Sequence, residues 1–261
     1  MIKCSACILT FNNEKTLEKC LESVRDFSDI VILDGGSTDR TLEIARRYSA
    51  RIYPQQEGGS SKKITDFTAM REKLFSLAGE EWCLWLDSDE WLDSNAIEDI
   101  KKIVESKNKD ILYSFMRKAV IGNKIIEYAY TYPEYCKRLF NRGSGARLKK
   151  GKKVHEDLVV SEGGTVKKLD SIIYHFWDKG YFQLIKKDNH YLELTVKGKD
   201  DFTHRKRLRV AWINLLKGSK VLIKSLFIYL RYGFKKTLPI SYSWRFARYH
   251  FIYAKKIVCQ R

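Results

Sequence analysis

Four acids crowd the end of one short run, "EEWCLWLDSDEWLD": Asp87, Asp89, Glu90 and Asp93. Carboxylates this close repel one another, so a cation belongs among them. Asp87 and Asp89 are separated by one small serine just past an apolar strand. That spacing suits a hard divalent ion such as magnesium or manganese, which keeps positions open for phosphate oxygens. A bare Asp-x-Asp pair is a common accident; its place at the fourth strand of an alternating β/α run makes it informative. Glu90 and Asp93 have a plainer reading as acids at the start of the helix that "DSNAIEDI" opens, stronger for Asp93 than for Glu90.

A second acidic cluster, "LDGGSTD", holds Asp34, Gly35, Gly36 and Asp39. Glycines admit a ligand close to the backbone, and a helix start offers free amides. The same residues also describe a well-made strand-to-helix turn, with Ser37 or Thr38 as cap and Asp39 facing the dipole. Other phosphate machinery is missing. There is no G-x-x-x-x-G-K-[ST] loop, no complete G-x-G-x-x-G follows the first strand, and the later "GSGAR" lacks a third glycine. A carboxylate–metal grip on a nucleotide diphosphate is the phosphate chemistry left.

These side chains need a sheet to carry them. "IKCSACILTF", "DIVILD", "ARIYP", "EWCLWLD" and "KDILYSF" read as strands. Between them "NEKTLEKCLESVRDF", "GGSTDRTLEIARRY", "TDFTAMREKLFSLA" and "SNAIEDIKKIVES" carry helical periods. This alternation predicts an α/β domain with a mostly parallel sheet, in which ligands sit at the carboxyl ends of the strands. After about residue 115 the pattern loosens into the strand-like "IIEYAYTYPEYCKRLF" and a Gly/Lys-rich stretch. From about Asp178 the chain is helical, basic and aromatic.

The charge divides in the same way. Residues 1–110 hold 16 Lys+Arg against 21 Asp+Glu, whereas residues 111–261 hold 33 against 11. From Phe202 to Arg261 there are 15 Lys+Arg and no acid, which implies a polyanionic partner for that part. Leu208, Trp212, Leu215, Leu222, Leu226 and Leu230 recur at helical spacing, interrupted by Lys217, Lys220, Lys224 and Arg231. Those bases argue against a spanning helix and for an amphipathic helix that packs in part on the domain and in part lies in a membrane interface. Bases among aromatics also suit single-stranded nucleic acid, the rival non-enzyme reading of a nucleic-acid or membrane adaptor. Cys4 and Cys7 point to opposite faces of a strand and chelate poorly, so the six cysteines read as free thiols of a reducing compartment. No basic region followed by a long apolar stretch opens the sequence, so no secretory leader is expected.

Taken together, "CILTFNNEKTLEKCLESV", "IVILDGGSTDRTLEIA" and "WCLWLDSDEWL" resemble the nucleotide-sugar domain of family 2 inverting glycosyltransferases, in order and spacing. Further on, Arg138-Leu139-Phe140 and Val154-His155-Glu156 resemble the bacterial subgroup of lipopolysaccharide-core glucosyltransferases. That subgroup's usual Arg-Asn pair before the third helix has no placed counterpart in "SSKKITDFTAMREK". The resemblance implies a GT-A fold over residues 1–177, a helical appendage over 178–261, and single-displacement transfer with inversion. It implies that Thr10, Asp34, Gly36 and Asp39 line the donor nucleotide, with Asp87 beside its ribose or the metal. Asp89 would hold manganese or magnesium. Glu156 is the expected base, with Asp157 second, and Glu90, Arg138 and His155 are expected donor or acceptor contacts; a partly buried, purely structural histidine is the alternative for His155. The implied reaction moves a hexose, glucose from UDP-glucose, to a lipopolysaccharide-core or other surface glycan at the inner face of the cytoplasmic membrane. A lipid carrier or protein side chain is the rival acceptor. No nucleic acid is expected, and oligomeric state is left open.

Overall fold

The computed structural model describes residues 1–56, 67–106, 108–149, 157–160, 163–177, 180–197 and 202–259. The chain divides into two compact units: Met1–Ala119 with Pro133–Phe176, and Val120–Tyr132 with Trp177–Arg261.

In the first unit, β1 (Ile2–Thr10), β2 (Phe27–Asp34), β3 (Arg51–Pro54) and β4 (Trp82–Asp87) alternate with α1 (Leu17–Glu22), α2 (Thr41–Arg47) and α3 (Phe67–Ser76). β5 (Glu90–Leu92), α4 (Ser94–Val104) and β6 (Ile111–Ile121) follow. β7 (Lys124–Ile125) pairs with the end of β6 and lies in the second unit. β8 (Tyr135–Asn141), β9 (Arg147–Leu148), β10 (Leu158–Val159) and β11 (Thr165–Phe176) complete the strands. The main sheet runs β3-β2-β1-β4-β8-β6-β11-β5, while β9 and β10 form a separate antiparallel pair. β3, β2, β1 and β4 are mutually parallel; β8 then meets β4 antiparallel, and β11 meets β5 antiparallel.

The chain leaves β1 for β2 on one side and returns to β4 on the other. In an open α/β sheet such a reversal favours ligand binding at the strand carboxyl ends, where Thr10 closes β1 and Asp87 closes β4. β1, β2 and β4 are buried on both faces, as their unbroken Ile, Val, Leu, Cys and Trp runs require. One face packs Leu17, Leu21, Ile44 and Ile100 against the sheet. The other packs Leu74, Ala78, Phe140 and Leu158.

Several local expectations are corrected. α1 is shorter than the period from Leu17 to Phe27 suggested: the chain turns after Glu22 so that Phe27 begins β2 and pairs beside Ile2. Ser37 and Thr38 do not cap α2, whose N-cap is Arg40. Glu90 belongs to β5 rather than to a helix start, whereas Asp93 caps α4, its side chain accepting from the Ala96 amide at 2.7 Å. Of the strand-like run 125–140, Ile125 ends the short β7 and Tyr135 onward forms β8; the residues between them are not in a strand.

The second unit is built on α5 (Tyr181–Lys197), α6 (His204–Tyr232) and α7 (Ile240–Val258). Its inner α6 face is Ala211, Asn214, Gly218, Val221, Ser225 and Tyr229. A Cβ at Gly218 would stand 2.4 Å from Phe251, so glycine lets α6 and α7 approach closely. Asn214 meets the His250 ring at 2.9 Å, and Arg245 bridges α7 to Asp188 on α5 at 3.0 Å. Tyr128 stacks on Tyr232 with centroids 3.7 Å apart. Leu208, Trp212, Leu215, Leu226 and Leu230 all face solvent, so the apolar stripe expected there is not the one that packs on α7. No helix among the described residues is long and apolar enough to cross a membrane.

Candidate active site at the strand carboxyl ends

Asp34 ends β2 and closes the turn that follows. Its Oδ1 accepts from the Thr10 hydroxyl at 2.8 Å and the Ser37 hydroxyl at 2.6 Å. Its Oδ2 accepts from the amides of Gly36 at 2.9 Å and Ser37 at 2.8 Å. Gly36 sits at φ 86, which glycine adopts without strain. A side chain at Gly35 would press on Phe11 and Gln55. Asp39 accepts from the amides of Glu14 at 3.1 Å and Thr41 at 3.0 Å, tying the β1–α1 loop to the start of α2. Although slight burial pushes the Asp39 carboxyl up, the hydrogen bonds from Thr41 and Glu14 outweigh it and hold the pKa below its ordinary value. Buried Gln55 donates to the carbonyls of Thr10 and Leu33, at 3.1 and 3.0 Å. Around this scaffold Asp34, Gly36, Leu42, Tyr53 and Gln55 line a cavity of about 250 Å³. A larger cavity, about 580 Å³, lies beside Met1, Lys3 and Asp26 at the opposite, amino end of β1. The smaller one is where an open parallel sheet binds ligands.

The second cluster answers why so many acids crowd the end of β4. Arg71 of α3 and Arg138 of β8 both reach Asp87, Arg138 at 2.9 Å on Oδ2 and Arg71 on Oδ1. The Trp85 indole N–H donates to Asp87 Oδ1 at 3.2 Å, and both guanidiniums pack on its ring, their carbons 4.7 and 4.5 Å from the centroid. Burial alone would raise the Asp87 pKa, but the charges of Arg71, Arg138 and then His175 hold it far below the carboxylate range. Behind it, fully buried Glu90 accepts from Arg138 at 2.7 Å and from the Asp87 amide at 3.2 Å. Arg117 stands 3.5 Å from Glu90 and also bridges Glu134. The cations expected among these acids are therefore arginines, and they serve Asp87 and Glu90. Glu90 and Arg138 were expected to touch donor or acceptor; the first has no exposed surface and the second is almost fully buried.

Asp89 differs. Its side chain is 40% exposed, and its Oδ2 faces His175 Nε2 at 3.6 Å. β11 brings that histidine here, pairing His175 with Glu90 and donating the Phe176 amide to the Asp89 carbonyl at 2.8 Å. Burial would lower the His175 pKa, but its hydrogen bond to Asp89 and the charges of Glu90 and Asp89 raise it. A divalent ion fits this donor set: one exposed carboxylate with an imidazole nitrogen beside it leaves positions for phosphate oxygens and water. Asp87, claimed by two arginines, is not available to it. Among the described residues no group of three or more His, Cys, Asp or Glu is placed to hold a metal ion, so protein donors to it would be Asp89 and His175 alone.

Arg71 and His175 were missed in the sequence. Arg71 lies in "TAMREK", four residues into α3, where a lone arginine looks like a solvated helix charge. His175 sits inside the strand run "SIIYHF", and only the β5–β11 pairing brings it to the acids. Glu156 and His155 lie outside the described residues. Asp157 is half exposed and pairs with Lys137 at 3.1 Å.

Residues 5–161 match the profile of Glycosyl transferase family 2, well over half the chain. The chain belongs to that family. It is a glycosyltransferase, and its α/β sheet, parallel over β3, β2, β1 and β4, is the fold class expected from the sequence. It is 29% identical over 195 residues to the lipopolysaccharide core biosynthesis glycosyltransferase LpsC of Rhizobium meliloti, covering 73% of this chain and 69% of that one. It is 30% identical over 151 residues to the SPbeta prophage-derived glycosyltransferase SunS of Bacillus subtilis, covering 58% of this chain but only 33% of SunS. A crystal structure of S. aureus TarS aligns with 98% of this chain and 55% of that one, at 14% identity and a TM-score of 0.49.

Proposed function

We propose that this glycosyltransferase is a metal-dependent, inverting hexosyltransferase that carries glucose from UDP-glucose to a lipopolysaccharide-core or other surface-glycan acceptor. It acts as a peripheral protein at the inner face of the cytoplasmic membrane. The observation that supports this best is the split between two neighbouring acids, with Asp87 locked by Arg71 and Arg138 and Asp89 left exposed beside His175. The cavity beside Asp34 and Gly36 suits a planar base and its ribose, and the name of LpsC favours the core-glycan acceptor.

In this reading Asp89 and His175 hold manganese or magnesium, which when bound offsets the charge that develops on the departing diphosphate. The acceptor hydroxyl oxygen attacks the anomeric carbon from the face opposite the diphosphate. The sugar–oxygen bond to the diphosphate breaks, and the hydroxyl proton passes to a carboxylate on the acceptor side. Glu156 takes that role first and Asp157 second. Arg71 and Arg138 keep Asp87 ionised and fixed, so that it orients the ribose without itself taking up a proton.

The test is a thermal-shift screen of nucleotide sugars with and without manganese. A donor that favours the folded state raises the melting point, by the equivalent of about 2.7 kcal/mol at a hundredfold excess over its Kd. UDP-glucose with manganese should give the largest shift, and Asp89→Ala should abolish both the metal-dependent part and sugar transfer. Glu156→Gln should lose transfer while keeping the donor shift. A wild-type protein that no UDP-sugar stabilises, with or without the ion, would overturn the reading.

A further inference from the structure

α6 buries one side against its own unit and exposes two chemically different strips on the rest. At about 100° per residue, Ala211, Asn214, Gly218, Val221, Ser225 and Tyr229 fall on one inner arc. Trp212, Leu216, Ile223, Leu226, Phe227 and Leu230 fall on a second arc, roughly 100° wide and shared with the small Ser219, and all are exposed, Phe227 by 68% and Leu230 by 76%. Arg209, Lys217, Lys220 and Arg231 border that arc on its far side, also exposed. A helix normally hides its large side chains and shows its small polar ones. Here Asn214, Gly218 and Ser225 are inside with Val221 and Tyr229, and Trp212, Leu216, Ile223, Leu226, Phe227 and Leu230 are out. Six large apolar side chains exposed along one side of a helix mark a contact surface.

We propose that this strip of α6 docks on an anionic lipid bilayer, with the helix axis in the membrane plane and its large apolar side chains in the headgroup–acyl boundary. The proposal deepens the membrane location given above and rests on that reading for its biological setting. Charge selects the occupant. Residues 202–261 carry 15 Lys+Arg and no acid, so a second copy of this face would bring like charges together, whereas an anionic leaflet neutralises them. Length and charge fix the orientation. The 29 residues of α6 would reach about 44 Å, long enough to cross a hydrocarbon core, but its bases forbid a span. An interfacial helix places such apolar groups about 5–10 Å deep while its bases remain at the headgroups. Trp212 lies on the strip, and tryptophan favours that boundary.

The experiment is co-sedimentation of the full chain with unilamellar vesicles of phosphatidylcholine, with and without phosphatidylglycerol, at low and high salt. The wild type should bind the anionic vesicles and lose that binding as salt rises. Phe227→Ser with Leu230→Ser should weaken binding by at least about tenfold at every salt concentration where the wild type still binds. Lys217→Gln, Lys220→Gln and Arg231→Gln together should weaken it on the order of 100-fold at low salt only. All five positions are exposed, so unchanged melting curves are expected and confirm that the variants fold. Lipids brominated in the acyl chain should quench the fluorescence that Trp212→Phe removes.

Any of four results overturns the proposal: no vesicle binding by the wild type, variants that bind as the wild type does, tighter binding of an oligonucleotide than of vesicles at matched salt, or a dimer in sedimentation that the Phe227→Ser and Leu230→Ser pair abolishes. Hydrolysis of UDP-glucose, measured without lipid, separates the two readings. Hydrolysis without vesicle binding sinks only the docking surface, and vesicle binding without hydrolysis sinks only the UDP-glucose assignment.

Discussion

Replacing Arg138 tests whether the buried charge cluster holds the site in place. Arg138 is only 5% exposed and sits 2.9 Å from Asp87 and 2.7 Å from Glu90, which has no exposure at all. Water cannot take its place beside Glu90. Breaking a buried pair by removing one partner costs about 3–5 kcal/mol, because the remaining charge is stranded. Arg117, 3.5 Å from Glu90, stays behind and absorbs part of that cost, which puts Arg138→Met near the lower end. Loss of the cation over Trp85 adds about 1 kcal/mol. Glu90→Gln should cost a similar amount, since it leaves Arg138 with half its compensation. The double variant strands neither charge, so its cost should fall short of the sum by about 2 kcal/mol. Urea unfolding followed by tryptophan fluorescence measures this, because both guanidiniums pack on the Trp85 ring. Each single variant should lower the midpoint by about 1 M or more for an m value near 2–3 kcal/mol/M. Single losses below about 1 kcal/mol, or strict additivity in the double variant, would show that the cluster is solvated and that Asp87 is not fixed as argued.

Three further outcomes follow from other contacts. Gly218→Ala should destabilise by about 1–3 kcal/mol despite alanine's better helix propensity of about 1 kcal/mol, because the new methyl meets Phe251; thermal unfolding of the two proteins decides it. Asp93→Ala removes the cap of α4 and also an acceptor for the Ile172 amide at 3.2 Å, and should cost about 1–2 kcal/mol in urea unfolding. The Asp87 pKa is depressed in the folded state, so its stabilising contribution is full above the ordinary carboxylate value near 4 and drains away as pH falls toward the depressed one. Stability measured from neutral pH downward should therefore fall more steeply for the wild type than for Asp87→Asn; equal slopes would contradict the arginine clamp.

The parallel half of the sheet was legible because hydrophobic runs of strand length and helical periods alternate there without interruption. Both acidic clusters could be placed at strand ends for the same reason. What sequence could not supply was pairing across long separations. β5 is three residues long, too short to show a period, yet it seats Glu90 in the sheet and brings His175 beside Asp89. Arg71 and Arg138 lie 67 positions apart and converge on one carboxylate. The α6 stripe teaches a different lesson. Periodicity identified an apolar face correctly but not whether that face looks inward, because small residues at Gly218, Ser225 and Ala211 allow closer helix packing than leucines would.

Asp87 and Asp89 are the same residue two positions apart, and sequence gives no reason to tell them apart. Their surroundings do. β4 ends on Asp87, so its carboxylate turns toward α3 and β8, where two guanidiniums and an indole N–H receive it. One residue past the Ser88 turn, Asp89 has left β4, and its neighbour across the antiparallel β5–β11 pair is an imidazole rather than an arginine. An arginine keeps its proton and competes with a metal ion for a carboxylate; an imidazole can release its proton and join the carboxylate in binding one. The fold thus sorts two equivalent acids into one held by two arginines and one left exposed beside an imidazole, and it does so through the strand pairing that carries His175. If that sorting governs chemistry, Asp87→Asn and Asp89→Asn must fail differently. The first should weaken stability and donor orientation while manganese binding persists, and the second should lose manganese binding with the fold intact. Calorimetric titration of manganese into the two variants, alongside their melting curves, separates the cases, and identical losses in both would refute the distinction.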